Sequence, residues 1–386
     1  MNASNTITLG PRSTRRLLLR DIDNPRQFVS NITPNWFASV MGTGIVANAA
    51  ATLPVIAPTL RLPATLVWML AALLLVGLTL ATAAHWIWFP RTARSHHTNP
   101  VMAHFYGAPP MALLTVGAGT LLLGRDVIGL PAAVTVDAVL WGVGTVLGLV
   151  SAAAVTYLTF TRLAIADDSA FGGWLMPIVP PMVSAATGAL LLPYVPVGQA
   201  RLTMLLACYA MFGLSLLASL IVITLIWARL ARHKVGASAA VPTLWIVLGP
   251  LGQSITAANL LGANAHLAVP APWSSALLIF GVVFGVPVLG FALLWAALAA
   301  AITVRTARDG LPFSLTWWSF TFPVGTCVTG LSGLALHTGS VVLQVLAVVA
   351  FAGLVAAWLT VAIRTFHGSI IRGTLLVPPA AAAARG

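Results

Sequence analysis

From Trp36 to Phe366 the chain passes through apolar stretches long enough to cross about 30 Å of hydrocarbon, with only short polar segments between them. This recurrence limits the fold more than any other feature. Inside a bilayer every backbone amide and carbonyl must find a partner within the protein, and runs of this length select the α-helix. Spans are predicted at 36–54, 62–88, 102–123, 131–161, 173–193, 201–228, 242–262, 273–304, 313–336 and 341–366. Charged residues make up 7% of the chain, against roughly 25% in soluble domains, so most of its surface is not built for water. The expected fold is an all-α integral membrane protein of ten transmembrane helices in five hairpins around a central path. Residues 1–33 are read as a basic cytoplasmic tail, 34–367 as the helical domain and 368–386 as a short cytoplasmic tail.

Orientation follows from the positive charges. With ten spans and a cytoplasmic N-terminus, Arg61, Arg125 and Arg201 fall on the outer face and the other 16 of the 19 Lys and Arg on the cytoplasmic face, as the positive-inside rule requires. A miscount by one span would scramble that pattern. The formal charge of +12 therefore reports topology in a cell membrane rather than a nucleic-acid surface. Near the N-terminus, Arg15-Arg16 resembles the start of a twin-arginine export signal, but Asp21-Ile22-Asp23-Asn24-Pro25 follows where an apolar stretch is needed.

Breaks in the helices alternate as well. Pro109-Pro110, Pro177, Pro180-Pro181, Gly249-Pro250 and Pro323 fall in odd spans, with Gly42 and Gly44 in the first; among even spans only the eighth has a deep proline, Pro287. Proline removes a backbone hydrogen bond, and hydrocarbon tolerates the loss only where protein or a water-filled cavity compensates. The odd spans are thus expected to kink and face an interior. Gly42, Gly44, Pro109, Pro110, Pro180, Pro181, Gly249, Pro250, Pro323 and Gly325 are the candidate kink or pore-lining positions. Close helix packing explains glycine and proline in membranes equally well at any one site.

The titratable groups offer little chemistry. There are seven Asp and no Glu, and Asp137 is the one acid inside a predicted span. It lies about 9 Å from Pro131 at helical rise, which suggests a pairing with Arg125 near the outer interface, or else a proton-coupling role. Histidines sit near span ends or in loops, and Cys208 and Cys327 stand in separate spans, so no metal site, disulfide framework or cofactor site emerges. No nucleophile elbow or phosphate-binding loop occurs, and the chain does not read as an enzyme. Odd spans carry neutral polar groups instead, among them Thr43, Asn48, Thr115, Ser184, Thr187, Gln253, Thr256, Asn259 and Thr329. A path lined by hydroxyls and amides beneath a basic cytoplasmic surface favours a small anion over a cation. Phe322, about 14 Å into the ninth span, lies near the midplane beside Pro323. Its ring can close a narrow path, and its position alone serves a packed core equally well.

Three segments carry a family resemblance: Asn35-Trp36-Phe37-Ala38-Ser39-Val40-Met41-Gly42-Thr43-Gly44, Gly249-Pro250-Leu251-Gly252-Gln253 and Trp317-Trp318-Ser319-Phe320-Thr321-Phe322-Pro323. They resemble the tellurite-resistance/dicarboxylate transporter family, which includes plant slow-type anion channels and the fungal sulfite efflux and malic acid transporters, the fungal branch looking nearest. The resemblance implies a quasi-fivefold bundle with odd helices around a pore, a homotrimer with one pore per subunit, and a gating phenylalanine, which falls on Phe322. It implies transport of sulfite, malate-like dicarboxylates or inorganic anions. Kinase activation, as in the plant members, is not carried over. A proton-coupled carrier using Asp137 or a histidine is the alternative.

Overall fold

A computed structural model describes residues 28–376. The basic tail read at 1–33 lies mostly outside them, as do the twin-arginine-like segment and residues 377–386. No β-strand occurs among the described residues. The helices are α1 (Phe37–Thr52), α2 (Ala57–Trp88), α3 (Pro90–Thr98), α4 (Ala108–Gly119), α5 (Arg125–Ile128), α6 (Leu130–Thr161), α7 (Pro180–Leu191), α8 (Gln199–His233), α9 (Leu248–Asn264), α10 (Trp273–Asp309), α11 (Phe322–Thr338) and α12 (Val341–Phe366). Among the described residues eight helical segments are long and apolar enough to cross a membrane, and they contain α2, α4, α6, α8, α9, α10, α11 and α12. The predicted first and fifth spans correspond to shorter helices, α1 of 16 residues and α7 of 12.

The expected kinks take a different form. Pro180 and Pro181 open α7, Pro109 and Pro110 lie in the first turn of α4, Pro250 is the third residue of α9 and Pro323 the second of α11. Each of these helices is preceded by a 3₁₀ segment: Met102–Gly107, Gly172–Leu175, Ser238–Val247 and Leu315–Phe320. Pro34–Trp36 plays the same part before α1. These prolines therefore start α-helices after a tighter entry segment rather than bending α-helices in mid-course. The first turn has no use for the missing N–H, and the fixed φ suits it.

Two kinds of helix result. Every residue of α1 from Phe37 to Ala50 is buried, and α7 and α9 are buried nearly as fully. By contrast α12 buries Ala347, Leu354, Val361 and Thr365, a single stripe, and exposes Val345, Val349 and Ile363. Likewise α2 buries Ala64, Trp68, Ala71 and Leu75 while Leu66, Leu73 and Leu80 face outward. Leucine and valine on the outer face suit hydrocarbon, not water.

The buried helices pack in a closed cycle, α1 on α4, α4 on α7, α7 on α9, α9 on α11 and α11 on α1. Each also packs on the long helix that follows it: α2, α6, α8, α10 and α12 respectively. Within the cycle neighbours run parallel, since Gly252 meets Thr326 and Gly333 meets Asn259 in matching order. Against their partners they run antiparallel, as Gly262 faces Leu277 while Gly285 faces Ile255. Small residues permit the close approach that replaces hydrophobic drive between membrane helices. A Cβ on Gly252 would stand 2.5 Å from the Cys327 backbone nitrogen. Indole N–H groups tie outer helices inward: Trp68 to the Val116 carbonyl at 3.3 Å, Trp141 to the Ser184 carbonyl at 2.9 Å, and Trp358 to the Thr43 hydroxyl at 3.1 Å. Each such bond contributes about 0.6 kcal/mol inside a membrane.

Candidate functional site

A cavity of about 330 Å³ lies within the cycle, and all five buried helices contribute to its wall. Its polar lining is Asn48 and Thr52 from α1, Thr115 from α4, Thr187 from α7, Gln253, Thr256 and Asn259 from α9, and Thr329 and Ser332 from α11. No ionisable side chain is among the lining residues. At one end stands Phe322, the first residue of α11, 2% exposed. The lining on α1 begins only at Ile45 and on α4 at Thr115, well inside those helices, so the wall narrows toward Phe322. Beyond it, Met41, Met111, Val179, Leu248 and Trp318 form a continuous apolar cluster with the ring. The opposite end reaches Leu336, 79% exposed.

Hydrogen-bond direction decides what this wall offers a solute. Thr115 donates to the Met111 carbonyl at 2.6 Å, Thr187 to Val183 at 2.9 Å, Thr329 to Thr326 at 3.0 Å and Ser332 to Val328 at 2.8 Å. Their protons are committed to backbone, so these hydroxyls present lone pairs rather than donors. Asn48 donates to the Thr115 carbonyl at 3.0 Å. Asn259 donates to the Ile255 and Gly281 carbonyls, and its oxygen meets His337 Nδ1 at 2.7 Å. Among the described residues the Gln253 amide has no hydrogen-bond partner, which leaves its N–H groups available to the cavity. Gln253 was legible as one polar residue among many; nothing in the spacing distinguished it.

Asn48, Thr115, Thr187, Gln253, Thr256, Asn259 and Thr329 of the polar set line this cavity, and so does Phe322, whereas none of the ten glycine and proline candidates is among its lining residues. The glycines set helix separation: a Cβ on Gly42 would collide with the Thr321 hydroxyl and the Trp318 ring, one on Gly44 with Thr115, and one on Gly325 with Ile45. Gly249 has only Pro323 nearby, at 4.0 Å. Pro110 and Pro180 pack against Gly148 of α6, away from the cavity, and Pro109 shares that outward side. Pro181, Pro250 and Pro323 open their helices as described.

Asp137 departs from its expected pairing. It is fully buried in α6, with Oδ1 facing Gly117 of α4, and neither carboxylate oxygen has a partner. Arg125 instead lies beside Asp126 at 3.9 Å, and Asp126 is bound by Arg61 at 2.5 Å. Height along a helix placed Asp137 near Arg125; azimuth turned it toward α4. It is not part of the cavity wall.

Histidines gather outside the cavity. His85 stacks on His96 with centroids 5.5 Å apart, and His97 on Tyr106 at 4.6 Å. Burial, reinforced by the charges of His85 and His97, pushes His96 down to about 4. No group of three or more metal-ligating side chains occurs among the described residues.

The chain matches the family model described as SLAC1, voltage-dependent anion channel, over residues 31–366. It is 28% identical over 348 residues to the sulfite efflux pump of Arthroderma otae, covering 88% of this chain and 92% of that protein. An uncharacterised transporter of Methanocaldococcus jannaschii is also 28% identical, over 313 residues, with 81% and 86% covered. The sulfite efflux pump of Candida albicans is 27% identical over 335 residues, with 81% and 66% covered.

Proposed function

The chain belongs to the voltage-dependent anion channel family, and we propose that it conducts small anions through the space inside its helical cycle, with Phe322 as the gate. Membership and its apolar helices make it a multi-pass membrane transport protein rather than an enzyme. In this reading α1 and α7 complete ten crossings. With its 3₁₀ entry, α1 covers roughly 30 Å, and the interrupted α7 segment covers a similar depth. The five helix pairs are then five hairpins in the cell membrane, with both termini cytoplasmic, an orientation that the charge asymmetry supports. Trimeric assembly remains an expectation of the resemblance.

One observation carries the proposal: a cavity walled by all five buried helices, free of ionisable side chains, ends on a single phenylalanine ring. A fixed carboxylate there would repel an anion, and a fixed cation would hold it too long for conduction. One free amide and several lone pairs make a weak, neutral wall. Past the ring the apolar cluster expels water, so closure needs no large movement. Sulfite is the first anion to try because relatives of similar length are sulfite pumps, with malate-like dicarboxylates and inorganic anions beside it. A potential negative inside drives such anions outward by about 2.3 kcal/mol per charge per 100 mV.

The test is anion flux in proteoliposomes at fixed voltage, wild type against Phe322→Ala. Burial of the ring is worth roughly 1.5–3 kcal/mol, so its removal raises flux by one to two orders of magnitude. Unchanged flux from well-folded protein would remove Phe322 as the gate.

A second reading is a proton-coupled carrier, favoured by the Asp137 carboxyl buried without a partner. It requires flux that follows a pH gradient and that fails in Asp137→Asn.

A further inference from the structure

We infer that the groove between α2 and α12, at their C-terminal halves, is a binding site for an anionic membrane phospholipid, one acyl chain lying in it and the headgroup at its basic end. The groove holds about 490 Å³ and is bounded by Leu74 and Gly77 of α2, Trp358 of α12, the Trp36 and Trp318 rings at its base, and Ile370. It is separate from the central cavity, and nothing in the inference depends on what that cavity conducts.

The chemistry of the wall selects hydrocarbon. Apart from the Trp36 indole N–H, its polar side chains are already committed: Trp358 donates to Thr43 at 3.1 Å, Trp318 to Thr365 at 3.1 Å, Ser39 to the Trp36 carbonyl at 2.7 Å and Ser369 to the Thr365 carbonyl at 2.6 Å. Beyond that one donor, what faces the groove is apolar surface with no use for a hydrated solute. Both flanking helices turn leucine, valine and isoleucine outward, so the groove opens onto the acyl region of the bilayer. A space of this size beside lipid tails forfeits its dispersion contacts unless a tail enters it.

Charge selects the headgroup. α2 and α12 both end at the same side of the bundle, and the exposed Arg91 and Arg94 follow α2 while the exposed Arg372 follows the groove residue Ile370 by two positions. Among the described residues no carboxylate ion-pairs with these arginines; the ion pairs present are those of Asp126 with Arg61 and Arg125. Guanidinium groups at a membrane surface attract anionic lipid. The Trp36 indole N–H, buried on the same wall, has no acceptor. The inner wall also touches the start of α11: the Trp318 ring lies against Gly42, and its carbonyl accepts from Thr321 at 2.7 Å, one residue before Phe322.

Gly77 provides the test, because a Cβ there meets nothing within 4 Å and a larger side chain fills the groove from the lipid side without entering the core. The full chain is reconstituted in nanodiscs of equal phosphatidylglycerol and phosphatidylcholine, and retained lipid is read by native mass spectrometry after release into mild detergent. Wild type is expected to keep one phosphatidylglycerol per chain. Gly77→Phe lowers that occupancy about tenfold at unchanged helicity and melting temperature, and Arg372→Gln loses the preference for phosphatidylglycerol. Equal retention by Gly77→Phe overturns the groove, and equal retention of phosphatidylcholine by wild type overturns the anionic headgroup. A wild type that keeps no lipid, or a Gly77→Phe variant that loses an oligomeric state instead of lipid, shows that another occupant covers this face and overturns the site.

Discussion

Ile45 of α1 lies directly against Gly325 of α11, so close that a Cβ at position 325 would stand 2.5 Å from its Cγ1 and 2.8 Å from its Cγ2. Gly325 is one turn beyond Phe322, and Ile45 also lines the cavity. The contact therefore sets the distance between two walls at the level where the cavity closes.

Gly325→Ala forces α1 and α11 apart, since Ile45 is β-branched and cannot swing its Cβ substituents clear. The expected destabilisation is about 1–3 kcal/mol, typical of overpacking in a close contact. Under the channel reading basal anion flux rises with it, because the ring no longer meets the opposite wall. Pairing the change with Ile45→Ala removes both colliding γ carbons, so a double variant that melts higher than the two single changes added together is the decisive measurement. A melting temperature unaltered by Gly325→Ala would show that the two helices are not held at this spacing.

Gln253→Leu removes the free amide from the cavity while keeping the side chain near its original size. A hydrogen bond to a charged group is worth about 1.5–3 kcal/mol, so half-saturating anion concentration should rise roughly tenfold or more. Thr187→Val, whose hydroxyl proton is spent on the Val183 carbonyl, serves as the comparison and is expected to alter it much less. Equal effects would mean that donors do not set affinity here. The measurement is concentration dependence of flux for each variant.

The contrast between Gln253 and Thr187 marks where sequence reading stops. The all-α class and the long apolar helices follow from hydropathy, and the burial alternation from proline placement, both of which act locally; ten spans were expected where eight segments among the described residues are long and apolar enough to cross. Phe322, which lines the cavity, was singled out because depth along one helix can be counted. Direction around a helix axis cannot be counted in the same way. Asp137 was read at the right height and the wrong azimuth, so its neighbour is Gly117 and not Arg125. Pro180 and Pro250 were recognisable as breaks, but a mid-helix kink and a helix start after a 3₁₀ segment leave the same residues in the sequence. The commitment of the threonine protons to backbone carbonyls, and hence the distinct position of Gln253, depends on rotamers that only the packed structure displays.

His96 provides a pH signature outside the membrane-spanning helices. Burial is the largest cause of its depression to about 4, followed by the charges of His85 and His97. A folded-state value below the ordinary 6.5 means that the unfolded chain takes up the proton first on acidification. His96 thus contributes stability that is present above about pH 6.5 and lost progressively as pH falls toward 4. His96→Gln should flatten that part of the stability curve relative to wild type, measured by thermal unfolding at a series of pH values. Parallel curves for the two proteins would place the acid sensitivity elsewhere.

Asp137→Asn separates the two functional readings without changing the shape of the side chain. The carboxyl lies against Gly117, outside the cavity wall, with no donor to either oxygen. In a channel the conducted anion never meets this group, so voltage-driven flux should stay within about twofold of wild type. In a coupled carrier the same substitution removes the proton site, and flux under a pH gradient falls to the leak. Gly117→Ala gives the necessary control for packing, since its Cβ would press on Oδ1 from 2.6 Å while leaving the acid in place. Loss of gradient-driven flux in Asp137→Asn, with that flux retained in Gly117→Ala at comparable stability, would move the assignment to the carrier. Unaltered voltage-driven flux in both variants, with no response to pH, leaves the acid a structural residue of the α4 and α6 contact.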